Sequence, residues 1–595
     1  MKIGIDFGST YSTIAQYNER TRTVEAFAQS EGESVSIPSV VSVHKTSGQV
    51  ACGQGAKSRI GKKFVRIFEA FKMLLTSADE AMLASRGYDE TYTPREITKL
   101  YLSSLLENVL EKEHARTIEK LVVCVPEIWG KNVVTLDGRT ILREVLQDIL
   151  RGIIKDRTYR PDEHIRIVTE PEAASAYFAY NYEQETKKRF NGHLLLIDYG
   201  GGTLDITLTE VISGPGESME IIYREGDGAG ENHFNERGEN EIGSAGFAYM
   251  QRVVLLALRD GRIVREDETP DFTAPDYASA VSDLETQLKS VERIKEIEQT
   301  FGHYRRFEKM KEILRQPAKE FLSIEYLGEE VPVTYQHLYL AYHQTIAPVL
   351  ESKILAICEK VEAHIGRNPR DVESGQSNDF KIAIVGGFGS FYLVRKQLAS
   401  IFSFDANANI DPRLRGIAAS KREQAIALGA ALLAADKVLL QKTARFSIGL
   451  GTIDNDRDRN ITGIYYGIHY HQVIKPGVPY YILHKPGLPD IPKNRKVWGS
   501  LRDNIDFFMM EWTDRLDWGG VYRLKSEILD KLKGLPSDLI WECGFSMDDS
   551  DVITFHASPH SLLGEQSSAR GIEIELDNYK KMFHSDVKEV HLGEV

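Results

Sequence analysis

The chain has 595 residues, of which 42% are hydrophobic, so it can bury several packed cores and we expect two or more domains. Its formal net charge of -14 argues against tight, non-specific binding to nucleic acid. No run of about 18 apolar residues occurs, so no membrane-spanning helix is expected. The first residues, MKIGIDFGST, lack the charged-then-apolar pattern of a secretion signal, so we expect no secretion.

Cysteine usage indicates a reducing compartment. The chain has 4 cysteines, and no two of them have the spacing of zinc ligands. This number is too small for a disulfide scaffold. We therefore expect a cytoplasmic protein.

The chain begins with a predicted strand at 2–7, a glycine turn and a second strand at 12–16. The same pattern returns at 194–210, in LLLIDYGGGTLDITLTE. In both copies an apolar strand ends in an aspartate, and a glycine turn leads into a β-prone strand. A duplicated unit of this kind predicts two related lobes that face each other.

The remaining patterns predict helices first and strands later. Helical stretches are predicted at 96–113, 171–187, 245–259, 278–297 and 304–321. The segment 381–398 predicts a strand, two glycines and a helix, and 423–435 predicts a small-residue helix that packs closely against a sheet. The segment 224–241, rich in Gly, Glu and Asn, predicts a surface loop. From 446 onward, short β-prone runs separated by turn residues predict an all-β sandwich.

The two glycine turns suggest a shared role. Each can aim several backbone N–H groups at one point, and such a concavity binds phosphate oxygens. Taken singly, each is a weak signal and is better explained as an ordinary turn, with its aspartate as a turn-capping carboxylate. Because both follow an aspartate, we favour a site in which Asp6 and Asp198 orient the waters of a magnesium ion on a triphosphate. The predicted phosphate-binding residues are Gly8, Ser9, Thr10 and Tyr11 in the first turn and Gly200, Gly201, Gly202 and Thr203 in the second.

Two further charged residues suit the same chemistry. Glu170 precedes a proline-started helix and can reach the metal's waters or an attacking water, although it also suits the charge of a helix N-terminus. Lys72, in FEAFKML, can neutralise charge on a transferring phosphoryl group, or it can be a surface lysine that extends its charge to solvent. The residues alone leave both alternatives open.

Seven segments resemble, in order and spacing, the ATPase domain of the seventy-kilodalton heat-shock chaperones, a family of the actin-like ATPase superfamily. They are GIDFGSTYSTIA, LVVCVP, RIVTEPEAASAY, LLIDYGGGTLDIT, EIGSAGF, AIVGGFGS and AIALGAALLAA. KVLLQKTARFSIGLGT is similar to that family's interdomain linker and the first strand of its peptide-binding sandwich. The resemblance implies a two-lobed, ribonuclease H-like α/β ATPase domain at 1–436, a linker at 437–446 and a β-sandwich at 447–580. It also implies a tail at 581–595 in place of the family's helical lid.

The resemblance assigns roles to individual residues. Lys72 falls at the family's catalytic lysine, Pro126 at its proline switch, and Glu170 at the carboxylate that links this switch to the metal. Thr203 and Asp205 fall beside the γ-phosphate. The remaining residues implied to line the nucleotide are Gly243, Lys319, Ser323, Gly386, Gly387 and Phe388.

The adenosine site departs from the family pattern. The segment 316–323 is similar to the adenosine-clamping helix, with Lys319 and Ser323 matched, but Glu320 stands where an adenine-stacking arginine is expected. Ser390 stands where a second arginine is expected. We therefore expect adenine to be held more weakly or differently.

The implied function is that of a chaperone-like ATPase. The resemblance implies slow hydrolysis of ATP to ADP with Mg²⁺, and a potassium ion near Glu423, coupled to binding and release of unfolded or extended polypeptide. Its implied partners are a J-domain co-chaperone and a nucleotide exchange factor, with neither nucleic acid nor a membrane. Two alternatives stay open: an actin-like protein whose assembly depends on nucleotide, and an ATP-sensing scaffold with weak turnover.

Overall fold

The structure is a computed structural model in which the chain divides into two compact units, Met1–Ile128 with Arg143–Leu440, and Trp129–Leu142 with Gln441–Val595. The domain boundaries expected from the sequence remain a prediction. The structure describes residues 1–28, 34–77, 79–127, 129, 138–156, 158–213, 219–230, 233–234, 240–241, 243, 245–265, 267–268, 270–272, 274–371, 379–402, 421–444, 447–453, 461–468, 472–481, 505–510, 540–548, 553–560 and 572–575.

The first half of the larger unit contains two sheets. Their strands are β1 (Lys2–Asp6), β2 (Tyr11–Asn18), β3 (Thr23–Ala26), β4 (Ile37–Pro38), β5 (Val40–His44), β6 (Val50–Cys52), β7 (Val65–Glu69), β8 (Lys120–Val125) and β9 (Ile165–Thr169). The first sheet has the order β3-β2-β1-β8-β9, with β4 beside β2, and the second has the order β6-β5-β7. β1 pairs antiparallel with β2 and parallel with β8. Both β1 and β8 are almost wholly buried, which explains their near-continuous apolar sequence.

The second half repeats this plan. Its strands are β10 (Gly192–Tyr199), β11 (Leu204–Ser213), β12 (Met219–Ala229), β13 (His233–Phe234), β14 (Asn240–Glu241), β15 (Glu320–Tyr326), β16 (Glu329–Thr334), β17 (Phe380–Val385) and β18 (Val438–Gln441). The main sheet has the order β17-β10-β11-β12-β18, and β13–β14 and β15–β16 are two-stranded sheets. β10 pairs antiparallel with β11 and parallel with β17, as β1 does with β2 and β8. The predicted duplication is therefore confirmed.

Most of the predicted helices are present. The helices of the described residues, predicted or not, are α1 (Gln54–Lys57), α2 (Phe71–Leu74), α3 (Glu80–Ser85), α4 (Pro94–Lys112), α5 (Gly138–Ile153), α6 (Glu170–Thr186), α7 (Gly246–Asp260), α8 (Pro275–Leu288), α9 (Val291–Gly302), α10 (Tyr335–Thr345), α11 (Ala347–Ile365), α12 (Tyr392–Ile401) and α13 (Ala425–Ala434). The predicted ones among them are α4, α6, α7, α12 and α13, with α8 and α9 in the place of one longer helix. The single helix expected at 278–297 is instead divided between α8 and α9. The division falls at Ser290, whose hydroxyl accepts a hydrogen bond from the Arg293 N–H and so begins a new helix.

The helix expected at 304–321 is wrong. Phe307–Arg315 is a 3₁₀-helix, and Glu320–Tyr326 is the strand β15. Gln316 has an extended backbone, with ψ 156°, because the residue before a proline is disfavoured in the α conformation. Pro317 therefore separates the two elements.

The surface loop expected at 224–241 is also partly wrong, because β12 extends through this segment as far as Ala229. Gly226 and Gly228 lie in β12, and both are opposed by residues of β11. These two glycines therefore lie in a strand whose neighbours leave little room for a side chain.

Two helices lie between the main sheets. α13 contacts β1, β2, β8 and α6, and α6 contacts β10, β11 and β12. A Cβ placed on Gly429 would lie 1.7 Å from the Ala173 carbonyl oxygen, and one on Gly4 would lie 2.2 Å from the Ala431 nitrogen. The backbones therefore touch on both sides of α13. This confirms the predicted close packing of the small-residue helix.

The described residues after 446 form strands, as predicted. They are β19 (Ser447–Ile453), β20 (Ile461–Ile468), β21 (Tyr480–Tyr481), β22 (Ile505–Met510), β23 (Ile540–Met547), β24 (Ile553–His560) and β25 (Ile572–Glu575). They form one sheet in the order β20-β19-β22 and another in the order β21-β23-β24-β25, and β20 contacts both β21 and β23. The tail expected at 581–595 lies outside the described residues. Within the described part of the chain, no helix has the length and apolar character needed to cross a lipid bilayer.

Candidate active site

The two glycine turns meet face to face in the larger unit. A Cβ placed on Gly201 would lie 1.9 Å from Thr10 Oγ1, and one on Gly202 would lie 2.4 Å from Ser9 Oγ. A side chain at either position of the second turn would overlap the first turn, which explains the glycines. The structure thus brings together two segments that are far apart in sequence.

Each turn is held by its own contacts. In the first, a Cβ on Gly8 would lie 2.0 Å from the Tyr11 carbonyl oxygen, and the Ser39 hydroxyl donates to the Gly8 carbonyl at 2.6 Å. In the second, the Gly200 N–H donates to the Thr203 carbonyl at 3.1 Å. The first turn is therefore held by a residue 31 positions away in the chain, and the second by a hydrogen bond within its own backbone.

Gly243 and Gly386 complete the surroundings of the second turn. Both have a left-handed backbone, with φ of 70° and 80°. A Cβ on Gly243 would lie 2.3 Å from the Gly202 carbonyl oxygen, and one on Gly386 would lie 2.5 Å from Asp198 Oδ1. The structure therefore places these two predicted residues beside the second turn and its aspartate.

Lys72 and Glu170 form a buried ion pair, in which the lysine side chain is 2% exposed and the glutamate 7%. Lys72 follows Ala70, whose φ of 52° is unusual for a residue with a side chain and turns the chain sharply after β7. Burial by itself lowers the pKa of Lys72, but Glu170 and then Asp6 raise it above its ordinary value. The alternative of a solvent-exposed Lys72 is excluded, and its ammonium group remains charged.

Three buried aspartates interact electrostatically with this pair. Burial, and next the charge of Glu170, raise the pKa of Asp6 to about 7 and that of Asp205 to about 8. The same two causes raise the pKa of Asp198 well above its ordinary value. Since the charged form of each carboxyl is disfavoured, the site has an excess of negative charge that a cation would offset.

These residues fit a hydrated magnesium ion. Oδ2 of Asp198 and Oδ2 of Asp205 are buried and have no hydrogen-bond partner among the residues that the structure describes. Metal-bound waters are donors, and Mg²⁺ commonly keeps several of them while it contacts a protein through few carboxylates. Among the same residues, no group of three or more His, Cys, Asp or Glu side chains is arranged to hold a metal directly.

Gly387 and Phe388 occupy different environments. A Cβ placed on Gly387 would meet no atom within 4 Å, so this glycine faces open space. Phe388 belongs to the hydrophobic core, with its ring centre 5.2 Å from that of Tyr199 and 5.5 Å from that of Tyr249. Its role as a nucleotide-lining residue remains a prediction.

The premise for Lys319 and Ser323 is wrong, because neither lies on a helix. Lys319 is exposed between a 3₁₀-helix and β15, and Ser323 lies within β15, where its carbonyl accepts from Gln287 Nε2 at 2.8 Å. Glu320 is the exposed first residue of β15. The comparison of this segment with an adenosine-clamping helix therefore fails.

A charged cluster around Tyr11 was missed by sequence reasoning. Lys57 Nζ donates to the Tyr11 hydroxyl at 2.6 Å, and Lys289 Nζ lies 3.9 Å from the centre of the Tyr11 ring. Both ammonium groups also pair with Glu285, at 3.3 Å and 2.8 Å. Although burial raises the pKa of Glu285, Lys289 and Lys57 together lower it below its ordinary value, so the carboxylate stays charged.

One part of this cluster has a sequence signal. Glu285 and Lys289 are four residues apart, which is the spacing of an ordinary surface pair on a helix. Lys57 has no such signal, because it lies far from both in sequence and meets them only in the folded chain. We call Tyr11, Lys57, Glu285 and Lys289 the Tyr11 cluster.

The two main sheets repeat one plan. Each has a glycine turn after its first strand, and two helices lie between the sheets. This arrangement defines a two-lobed actin-like ATPase fold, which is followed by a β domain.

Comparison with curated proteins supports this fold class. The chain is 25% identical over 434 residues to the chaperone protein DnaK of Thermotoga petrophila, a match covering 73% of the chain and 59% of that relative. It is 22% identical over 478 residues to DnaK of Nitrosopumilus maritimus, covering 77% and 60%.

Over a shorter stretch of 251 residues, the chain is 28% identical to heat shock cognate 70 kDa protein 3 of Dictyostelium discoideum. This match covers 38% of the chain and 35% of that relative. No family model matches the chain. The chain spans about three fifths of the length of the DnaK relatives that it matches. By these matches the chain is similar, at low identity, to the seventy-kilodalton heat-shock chaperones.

Proposed function

We propose that this protein is a chaperone-like ATPase that couples slow hydrolysis of Mg²⁺·ATP to the binding and release of unfolded or extended polypeptide. The observation that carries the proposal is the contact of the two glycine turns, whose aspartates Asp6 and Asp198 interact electrostatically with the buried Lys72–Glu170 pair. Backbone N–H groups of both turns bind the phosphates, and the hydroxyls of Ser9 and Thr10 add further donors.

Hydrolysis depends on positioning and charge. The Lys72 ammonium group, which stays protonated, stabilises the charge that develops on the γ-phosphoryl group. Thr203 and Asp205 orient the attacking water, and Oδ2 of Asp205 is free to accept a hydrogen bond from it. Asp6, Asp198 and Glu170 hold the waters of the magnesium ion, whose charge offsets that of the triphosphate when bound.

The Tyr11 cluster retains the nucleotide. Lys57 belongs to α1, which packs on the β6-β5-β7 sheet, whereas Glu285 belongs to α8, which packs on β15. Their ion pair therefore joins two elements that pack on different sheets, and Lys57 also contacts Tyr11 of the first turn. Nucleotide exchange requires this connection to open, which an exchange factor can promote by separating the two elements.

The segment after α13 transmits the state of the nucleotide. Val438–Gln441 forms β18 at the edge of the sheet that carries the second turn, and the Leu440 carbonyl accepts from Arg166 Nη2 at 3.4 Å. A rotation of the lobes on hydrolysis changes the edge on which β18 lies. The affinity of the β domain for extended peptide then depends on the bound nucleotide. A potassium ion near Glu423 is part of the same proposal.

The test is an ATPase assay on the full chain, with and without an unfolded peptide and a J-domain protein. We expect slow turnover that peptide and J-domain stimulate. Binding of ATP without turnover would reject the proposal and favour an ATP-sensing scaffold. Sedimentation that depends on nucleotide, without stimulation by peptide, would reject it in favour of an actin-like assembly protein.

A further inference from the structure

Glu127 is a buried carboxylate for which the proposed mechanism has no role. It lies directly after β8 and Pro126, and its side chain is completely buried. Its backbone N–H donates to Asp205 Oδ1 at 2.7 Å. One oxygen of the aspartate that orients the attacking water is therefore held by the peptide group of Glu127. The other oxygen, Oδ2, has no hydrogen-bond partner among the described residues.

The carboxyl group of Glu127 lies in a space that a glycine leaves open. A Cβ placed on Gly226 would lie 2.9 Å from Glu127 Oε1, 2.9 Å from the Tyr223 hydroxyl oxygen and 3.1 Å from Glu127 Cδ. Gly226 and Gly228 point to the same face of β12, since they are two residues apart on a strand. Gly228 pairs with Asp205, and a Cβ placed there would lie 3.3 Å from Asp205 Oδ1. The glycines of β12 thus make room for both carboxyl groups on one face.

We propose that Glu127 is a positioning residue for Asp205. The Glu127 side chain, lodged beside Gly226, fixes the peptide N–H that holds Asp205 Oδ1, and so orients Asp205 Oδ2 for the attacking water. This rests on the proposed ATPase function. It concerns the shape of the Glu127 side chain. The charge of Glu127 also contributes to the raised pKa of Asp205, so glutamine, which keeps the shape and removes the charge, separates the two effects. A displacement of about 1 Å in a positioning group can slow a catalysed reaction on the order of a hundredfold. Loss of the contact should therefore be detectable as slower ATP hydrolysis.

The experiment compares single-turnover ATP hydrolysis and ATP affinity in the full chain for Glu127→Ala, Glu127→Gln and Gly226→Ala. We expect Glu127→Ala and Gly226→Ala to slow hydrolysis by about tenfold or more while ATP affinity changes little. We expect Glu127→Gln to stay close to the wild-type rate. In the double variant Glu127→Ala/Gly226→Ala the losses should be less than additive, because the new methyl group no longer meets the carboxyl group and only the Tyr223 hydroxyl remains within 3 Å of it.

A second measurement tests the contact without hydrolysis. Hydrogen–deuterium exchange of the Glu127 amide, in the nucleotide-free protein, should be faster in Gly226→Ala and in Asp205→Ala than in the wild type. Gly152→Ala is the matched control, since a Cβ there meets no atom within 4 Å. A wild-type hydrolysis rate in Glu127→Ala, a slow Glu127→Gln, or unchanged exchange in Gly226→Ala would each overturn the proposal. Absence of hydrolysis in the wild type would overturn the proposed function itself. Hydrogen–deuterium exchange of the Glu127 amide does not depend on hydrolysis, so it would still show whether the side chain of Glu127 fixes the contact with Asp205.

Discussion

A single buried lysine shares its site with four carboxylates, and this imbalance of charge governs the chemistry at the scale of residues. Lys72 compensates Glu170 directly. Burial, and next the charge of Glu170, keep the pKa values of Asp6, Asp198 and Asp205 raised in spite of the nearby ammonium group. Removal of one partner of a buried ion pair is strongly unfavourable, since it leaves the other charge uncompensated. Substitutions here should therefore change turnover and stability in ways that surface substitutions do not.

Replacing Lys72 by methionine keeps most of the side-chain volume and removes the charge. We expect turnover of ATP to fall by roughly a hundredfold or more, because the charge acts on the transferring phosphoryl group. Affinity for ATP should change little, since the turns bind the phosphates mainly through backbone groups. Equilibrium binding and single-turnover kinetics separate the two effects. The control is Lys295→Met, at an exposed position of α9. Unchanged turnover in Lys72→Met would contradict the catalytic role.

Asp205 should make the stability of the nucleotide-free protein depend on pH. Its pKa is about 8 in the folded chain, chiefly because of burial, and its ordinary value is about 4. Between these two values the folded chain binds a proton that the unfolded chain has released, so stability falls as pH rises and levels off above about 8. Thermal unfolding midpoints from pH 5 to 9 should fall less steeply in Asp205→Asn. Equal slopes in the two proteins would contradict the assignment.

At the scale of elements, two contacts join segments of the larger unit that are far apart in sequence. The Tyr11 cluster joins α1 to α8, and Gly429 lets α13 touch the backbone of α6. The Tyr11 cluster is held by ion pairs and a hydrogen bond, whereas α13 and α6 touch through their backbones. Substitutions in the Tyr11 cluster should therefore change the rate of nucleotide release, and substitutions at Gly429 should change stability.

Glu285→Gln retains the shape of the side chain and removes the charge that pairs with both lysines. Lys57 and Lys289 then repel each other across Tyr11, which favours opening of the cluster. We expect ATP and ADP to dissociate faster, by about tenfold, which corresponds to ~1.4 kcal/mol. Stopped-flow release of a fluorescent nucleotide measures the rate, with Glu292→Gln, at an exposed position of α9, as the control. Release at the wild-type rate would show that the cluster does not retain nucleotide.

Gly429→Ala should destabilise the ATPase unit, because the added Cβ would lie 1.7 Å from a backbone oxygen that has no flexible side chain to move aside. Overpacking of this kind costs about 1–3 kcal/mol, occasionally more. Gly152→Ala, on α5, adds the same atom where no atom lies within 4 Å and should be neutral or slightly stabilising. Thermal unfolding of both variants makes the comparison, and equal midpoints would contradict close packing of α13.

For the whole molecule, the proposal separates nucleotide chemistry from peptide binding. The site residues belong to the unit formed by Met1–Ile128 and Arg143–Leu440, and the strands β19–β25 belong to the other unit. Removal of the residues from 446 onward should therefore leave ATP hydrolysis and abolish binding of unfolded peptide. Turnover assays and fluorescence anisotropy of a labelled peptide measure the two activities. Peptide binding retained after truncation would reject the assignment of the β domain.

Local patterns in the sequence were enough to predict most helices and strands and the two glycine turns of the candidate site. Alternating or continuous apolar residues marked the strands, and the aspartate–glycine pattern marked both turns, because each depends on residues that are neighbours in the chain. The same approach failed where two local tendencies compete. At 304–321 the charged, helix-like composition was overridden by Pro317, and at 224–241 Gly226 and Gly228 belong to a largely buried strand.

The sequence by itself therefore determined the duplicated lobes, the two turns and the identity of Lys72 and Glu170 as candidates. Only the tertiary structure decided that the turns touch, that Lys72 is buried with Glu170, that Lys57 reaches Tyr11, and that Glu127 holds Asp205. The physical reason is that periodicity records which residues are buried, whereas the choice of partner for a buried charge depends on close packing between segments far apart in the chain.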